Sequence, residues 1–196
     1  MYYIVLLGNP GDEYVNTRHN VAWYLADKNF CTTLQLDKSE INHHLKAKLA
    51  VGCAGDKSAT VVWPQTFMNR SGETVEKLVS DDGGHRLIVV HDDVDLPLGQ
   101  VRVGFDRGDG GHNGLKSIIK TLGTQAFVRV RIGIGPTSFL TGKMLPRPSG
   151  DALSKYVLGN LSLRDKHTLK SVAKILPDII TTIVNEGHQV AMNQFN

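Results

Sequence analysis

Leu87-Ile-Val-Val90 is an unbroken apolar run that ends abruptly in His91-Asp-Asp-Val-Asp95. Short apolar runs of this kind are buried strands, and polar groups at the C-terminal end of such a strand are where open α/β sheets hold their ligands. Further on, Gly108-Asp-Gly-Gly-His-Asn-Gly114 leads into Leu115, Ile118, Ile119 and Leu122, which recur at helical spacing. Strand, polar loop, glycine turn and helix follow one another within residues 86–122. That order commits the chain to an α/β architecture with its chemistry gathered at one end of a sheet.

The flanking segments extend the same pattern. Residues 2–7 read as a strand stopped by Gly8-Asn-Pro-Gly11. Asn16 or Thr17 is expected to cap a helix that carries Val21, Tyr24 and Leu25 and runs to about Phe30. Residues 45–51 and 59–63 read as strands, the second closed by Pro64, and Ser71 as the cap of a helix to about Ser80. Further strands are predicted at 100–104 and 127–134, with Asn113 as N-cap and Gly123 as the residue ending the helix between them. Residues 136–150 are expected to form a mobile loop. A short helix is predicted at 151–158, and a long one at 163–194 with a kink at Pro177. The expected fold is a single-domain α/β/α sandwich over residues 1–196, built around a mixed twisted sheet and ending in a C-terminal helix.

Charge is unevenly placed. Residues 101–150 carry eight Lys or Arg against Asp106 and Asp109, a surplus of six, whereas the whole chain is only +3. A basic half-surface beside a glycine turn suits a phosphate-bearing partner. Two cysteines, Cys31 and Cys53, are too few for a disulfide framework and form no CxxC pair. No basic leader precedes the first strand and no apolar run reaches membrane length, so a cytoplasmic protein without a membrane partner is expected.

Several chemistries are compatible with the central span. His91, Asp92, Asp93 and Asp95 could bind Mg²⁺ or Mn²⁺, but there is no HExxH, CxxC or second acidic cluster. The glycine turn could cradle phosphate, yet it is neither GxGxxG nor a P-loop and equally suits a tight entry into a helix. No GxSxG elbow is present. Of eight histidines, His19, His91 and His112 lie in motif-dense segments. Asn9, Asn20, Asn69 and Asn113 each sit at a turn or helix start. They are either caps or a ring of neutral donors around an acyl group.

Taken in order, Leu7-Gly-Asn-Pro-Gly11, Tyr14, Thr17-Arg-His-Asn20, Pro64-Gln-Thr-Phe-Met-Asn69, His91-Asp92, Asp95-Leu-Pro97, Gly110-Gly-His-Asn-Gly-Leu115, Arg129-Val-Arg-Ile-Gly-Ile-Gly135 and Tyr156-Val-Leu-Gly159 closely resemble bacterial peptidyl-tRNA hydrolase. The resemblance covers almost the whole chain. It implies hydrolysis of the ester between a peptide and the 3′-terminal ribose of tRNA by a monomer that needs no metal or other cofactor. It also implies His19 as catalytic base with Asp92 as its partner, and Asn9, Asn69 and Asn113 around the substrate. Tyr14, Phe67 and Met68 would pack on the terminal nucleotide or the peptide, and Arg102 and Arg131 would meet tRNA phosphates. On this reading His91 and His112 are structural. Two alternatives use other features: a metal-dependent phosphodiesterase built on residues 91–95, and a non-catalytic RNA-binding module built on the basic half-surface.

Overall fold

The computed structural model describes residues 1–79, 86–138 and 140–196. Among these the chain runs β1 (Tyr2–Leu6), α1 (Val21–Leu25), α2 (Lys28–Thr33), β2 (Glu40–Asn42), β3 (Ala47–Ala54), β4 (Lys57–Pro64), α3 (Gly72–Leu78), β5 (Leu87–Pro97), β6 (Val101–Phe105), α4 (Asn113–Leu122), β7 (Val128–Gly135), α5 (Gly150–Val157), α6 (Leu163–Glu186) and α7 (His188–Phe195). The strands form one sheet in the order β2-β3-β4-β1-β5-β7-β6. Its centre is parallel, β4 with β1, β1 with β5 and β5 with β7, and both edges are antiparallel. The expected mixed α/β sheet is present.

Alternation along the strands builds two apolar layers. Ile4, Leu6, Ile88, Val90 and Val130 face Val21, Leu25, Phe30, Leu176 and Ile180 of α1, α2 and α6. Val5, Val89 and Leu87 face Val75 of α3 and Leu115 and Ile118 of α4 on the other side. Each such side chain contributes about 1.5–3 kcal/mol when fully buried. The central strands are covered on both faces, and only their C-terminal ends emerge for chemistry.

The structure departs from the sequence expectations at several points. The helix predicted to run to Phe30 divides at Ala26–Asp27, because the Asp27 carboxylate accepts from the Phe30 amide at 3.0 Å and starts α2 afresh. Neither Asn16 nor Thr17 caps α1; the Thr17 hydroxyl donates back to the Tyr14 carbonyl. Strand β2 has three exposed residues and no apolar alternation, and is defined by its pairing with β3. Ser71 precedes α3, but its hydroxyl donates to the Met68 carbonyl and caps nothing. The predicted end of that helix near Ser80 lies outside the described residues, as does His85. Within the 136–150 segment, Thr137 and Met144 form an isolated antiparallel bridge and Leu145 N donates to Pro136 O at 2.8 Å.

Strand β5 outruns its apolar core. It continues along β7 through Asp93 to Pro97, with a register shift between those two residues. A Cβ on Gly133 of β7 would collide with the Pro97 carbonyl, so this crossing needs glycine there. At the C-terminus, Pro177 is absorbed within an unbroken α6, which starts from a Ser162–Asp165 capping box. The break falls at Gly187, where φ is +95°, and separates α6 from α7.

Candidate active site

Arg18, His19 and Asn20 form a single 3₁₀ turn fixed from both ends. Arg18 N donates to Gly159 O at 3.0 Å, and its guanidinium holds Asp165 at 2.9 Å while lying 4.5 Å from the Tyr156 ring centre. The clamp presents His19 to β5 just past its apolar core. There, His19 Nδ1 lies 2.9 and 3.0 Å from the two oxygens of Asp92. An ionised carboxylate only accepts, so Nδ1 carries the hydrogen and Nε2 is left with its lone pair.

Asp92 holds a second imidazole. His112 Nε2 is 2.8 Å from Asp92 Oδ1. His112, rather than the expected Asn113, is the N-cap of α4: its Nδ1 accepts from the amides of Gly114 and Leu115 at 3.1 and 3.3 Å. A nitrogen that accepts backbone N–H groups has no proton of its own, so the cap fixes the proton of neutral His112 on Nε2, where it donates to Asp92. The His19 and His112 rings lie 5.0 Å apart. His112 therefore belongs to the cluster, and its structural role as a cap is what fixes its chemical one. Its signal in the sequence was its place directly before Asn-Gly at a helix start.

Burial and pairing set the charges. Burial works against an imidazolium at His19, but the charge of Asp92 and its hydrogen bond outweigh it, so the His19 pKa is raised above the ordinary 6.5. Burial would raise that of Asp92, yet the two imidazoles and their hydrogen bonds hold it far below the usual carboxylate range. His91 is different. Complete burial, with His112 beside it, pushes its pKa down to about 3, so its ring is neutral. Its Nδ1 donates to Asp92 O at 2.8 Å, and its buried Nε2 has no partner among the described residues.

Beside His19, the asparagines divide into scaffold and free groups. Asn20 exchanges two bonds with the Asn9 backbone, accepting from Asn9 N and donating to Asn9 O, each at 2.9 Å. Asn9 Oδ1 in turn accepts from Met68 N at 2.7 Å. Asn9 is thus locked, and its Nδ2 donors have no partner among the described residues. Tyr14 and Phe67 meet edge to face with ring centres 6.4 Å apart, Phe67 being half exposed. Asn69 and Asn113 are exposed, and their amides make no hydrogen bond among the described residues.

A cavity of about 390 Å³ opens beside the cluster, lined by His19, Asp92, His112 and Asn113 together with Arg107, Arg129, Arg131 and Arg147. Arg131 Nε donates to Asp93 at 2.6 Å and Arg147 to Asp95 at 2.9 Å. Arg129 is 1 % exposed, and its Nε and Nη1 have no partner among the described residues. Burial, with Arg107 and Arg131 nearby, pushes its pKa down to about 10. Arg129 was not foreseen as a site residue, although alternation along β7 puts it on the same face as Arg131. Arg102 stands apart from the cavity: it lies on the edge strand β6, with its guanidinium on the Asn196 carbonyl oxygen.

The acids of residues 91–95 therefore do not converge on one cation. Asp92 is tied to histidines, and Asp93 and Asp95 to arginines. His19, Asp92 and His112 do bring three ligand-type atoms within 4.8 Å of one another. The helix cap argues against a metal among them, because an ion on His112 Nε2 would have to displace the proton that the cap puts there. The donor set fits a hydrogen-bonded triad better than a metal centre.

Residues 3–196 match the family described as Peptidyl-tRNA hydrolase. The chain belongs to the peptidyl-tRNA hydrolase family. It is 37 % identical over 199 residues to the peptidyl-tRNA hydrolase of Syntrophotalea carbinolica and 36 % identical over 203 residues to that of Clostridium tetani, covering all of this chain and 97 % of each relative. The crystal structure of peptidyl-tRNA hydrolase from Acinetobacter baumannii superposes with a TM-score of 0.85 at 27 % identity, over 100 % of this chain and 94 % of that one. The fold is the family's fold, and the family's activity is hydrolysis of peptidyl-tRNA. No helix among the described residues is long and apolar enough to cross a membrane.

Proposed function

We propose that this protein cleaves the ester between a peptide and the 3′-terminal ribose of tRNA with a water activated at His19 Nε2, using no metal or other cofactor. The observation that carries the reading is the Asp92 carboxylate holding His19 by Nδ1, which leaves Nε2 with its lone pair on a residue that lines the cavity. Water gives its proton to Nε2 as its oxygen attacks the ester carbonyl. The Asp92 charge stabilises the imidazolium that forms. Collapse of the tetrahedral intermediate breaks the bond to the ribose oxygen, which takes the proton back from Nε2. Products are the free peptide acid and tRNA.

Asn9 suits the oxyanion, since Met68 N occupies its oxygen and leaves its Nδ2 donors in a fixed direction. The free amides of Asn69 and Asn113 can bond the peptide's first amide group, a partner that an unblocked α-ammonium does not supply. Tyr14, Phe67 and Met68 frame the acyl side. The arginines of the 390 Å³ cavity, which Asn113 also lines, suit the phosphates of the tRNA end. Arg131 is the foremost of these contacts; Arg102, bonded to Asn196, would serve only at the periphery. Every group in this scheme comes from one chain, so a monomer acting in the cytoplasm suffices.

The deciding assay is multiple turnover on an N-acetyl-aminoacyl-tRNA beside its unblocked counterpart, with a strong chelator present. Turnover of the blocked ester alone is expected. Loss of that turnover on chelation would instead support the metal-dependent alternative.

A further inference from the structure

His19 and Asp92 meet across 73 residues of chain, so the bond between them depends on what fixes each segment. Asp92 is placed by its strand, since β5 pairs with β7 there and sets Asp92 opposite Ile132. His19 is held from both ends of its 3₁₀ turn. On one side Asn20 is bonded to the Asn9 backbone. On the other, Arg18 is held three ways: Nη2 donates to Asp165 Oδ2 at 2.9 Å, Nη1 donates to Tyr156 O at 3.4 Å, and the guanidinium lies 4.5 Å from the Tyr156 ring centre. Gly159 leaves room for this approach, because a Cβ there would come 3.0 Å from Arg18 Nη1 and 3.2 Å from Tyr156 O. The Tyr156 hydroxyl donates in turn to Ile134 O at 2.6 Å, two residues beyond Ile132 on β7. The contacts close a ring that runs from Asp92 through β7, Tyr156 and Arg18 to His19 and back to Asp92.

We propose that Arg18, Tyr156 and Asp165 are positioning residues for the hydrolysis, setting His19 within bonding distance of both Asp92 oxygens. The proposal rests on the reading of His19 as the base. Each member refers His19 to a different support. Asp165 belongs to the capping box of α6, where its carboxylate also accepts from Ser162 N at 3.1 Å, so the long helix anchors the cation. Tyr156 refers the same cation to β7, the strand that places Asp92. Arg18 adjoins His19 in a turn of three residues, so a shift of one moves the other. A planar guanidinium can bond two partners and stack on a ring at once, which an ammonium cannot. Displacing a reacting group by about 1 Å can cost ~10²-fold in rate.

Position and charge make opposite demands here. Asp92 of β5 and His112 of α4 face His19, with the Arg18 cation next to it in the chain and the Asp165 carboxylate behind that cation. Acting by charge alone, loss of the cation would favour the imidazolium of His19 and loss of the carboxylate would disfavour it. Acting by position, either loss loosens the turn and weakens the hold of Asp92 on Nδ1.

The test measures kcat, KM and the pH profile on an N-acetyl-aminoacyl-tRNA for Arg18→Ala, Asp165→Ala and Tyr156→Phe, with thermal melts beside them. Ser162→Ala is the control: it removes the hydroxyl that accepts from Asp165 N and leaves Asp165 on Arg18. Arg18→Ala is expected to lower kcat by up to ~10²-fold and Tyr156→Phe by about fivefold, the worth of one hydrogen bond, with KM unchanged in both. The acidic limb of kcat/KM should move to lower pH in Arg18→Ala and in Asp165→Ala alike. Ser162→Ala should lower Tm and keep kcat within about twofold of the wild type. Unchanged kcat in Tyr156→Phe, limbs that stay in place or move in opposite directions, or a kcat loss in Ser162→Ala matching that of Asp165→Ala would each overturn the proposal. Should Arg18→Ala fail to fold, Tyr156→Phe, which deletes a single hydroxyl, decides by its kcat. Failure of the underlying reading would look different: His19→Ala itself would keep wild-type turnover, whereas inert clamp variants beside an inactive His19→Ala would sink only the positioning role.

Discussion

His112 Nε2 stands 2.8 Å from Asp92 Oδ1, and that bond is donated by the histidine because helix α4 occupies its other nitrogen. Two imidazoles share one carboxylate, but only His19 keeps a lone pair for water. His19→Ala should therefore lower kcat by ~10²–10⁴-fold with tRNA binding retained, the usual range for losing a positioned base. His112→Ala should cost only about tenfold in kcat, the worth of one orienting hydrogen bond, plus about 1 kcal/mol of stability from the lost cap. Steady-state kinetics beside denaturant melts separate the two. A larger kinetic loss for His112→Ala than for His19→Ala would reverse the assignment.

The pH dependence follows from the same carboxylate. A base must be neutral, so kcat/KM should rise with pH through the His19 pKa, which is raised above the ordinary 6.5. Asp92→Asn removes the charge that raises it and leaves the burial that lowers it. The acidic limb should then move to lower pH while the plateau rate drops. A pH–rate profile of the variant that keeps the wild-type limb would show that Asp92 does not set it.

His91 gives a stability prediction with a definite sign. Its pKa is about 3 folded and near the ordinary 6.5 unfolded, so unfolding takes up a proton between those values. The contribution is fully present above pH 6.5 and is lost as pH falls toward 3, at about 1.4 kcal/mol per pH unit. His91→Asn keeps a donor toward the Asp92 carbonyl but cannot titrate. Its unfolding free energy should fall less steeply between pH 6.5 and 4 than that of the wild type, and matching slopes in urea melts would refute the buried neutral assignment.

Arg131 lines the cavity while bonded to Asp93, and its remaining N–H groups are suited to a phosphate. Arg131→Ala should raise KM with little change in kcat and reduce the log–log salt slope of binding by about one. Arg102→Ala should have the smaller effect, because its guanidinium is engaged with Asn196. Titrating salt against KM for both variants orders the two residues, and an unchanged KM for Arg131→Ala would remove it from the interface.

Much of the architecture was legible in the sequence. Period-2 runs such as 127–134 and the apolar Leu87–Val90 announced buried strands, and the glycine turn before Leu115 announced α4. The ordered motifs identified the family and singled out His19 and Asp92. What local pattern did not carry were features defined by partners distant in the chain. β2 is a strand through pairing with β3, and the extension of β5 to Pro97 runs alongside β7. The split at Asp27 depended on one side chain competing for the Phe30 amide.

The same boundary divides the site. The sequence by itself determined which chemical groups exist and which family they belong to, because residue types and their order are one-dimensional facts. Only the tertiary structure decided that His112 joins Asp92, that Asp93 and Asp95 are neutralised by Arg131 and Arg147, and that Asn9 has one end of its amide left over. Each of these depends on a distance of about 3 Å between residues far apart along the chain. Hydrogen-bond direction and proton location are properties of such contacts, so they are settled when the sheet brings the segments together.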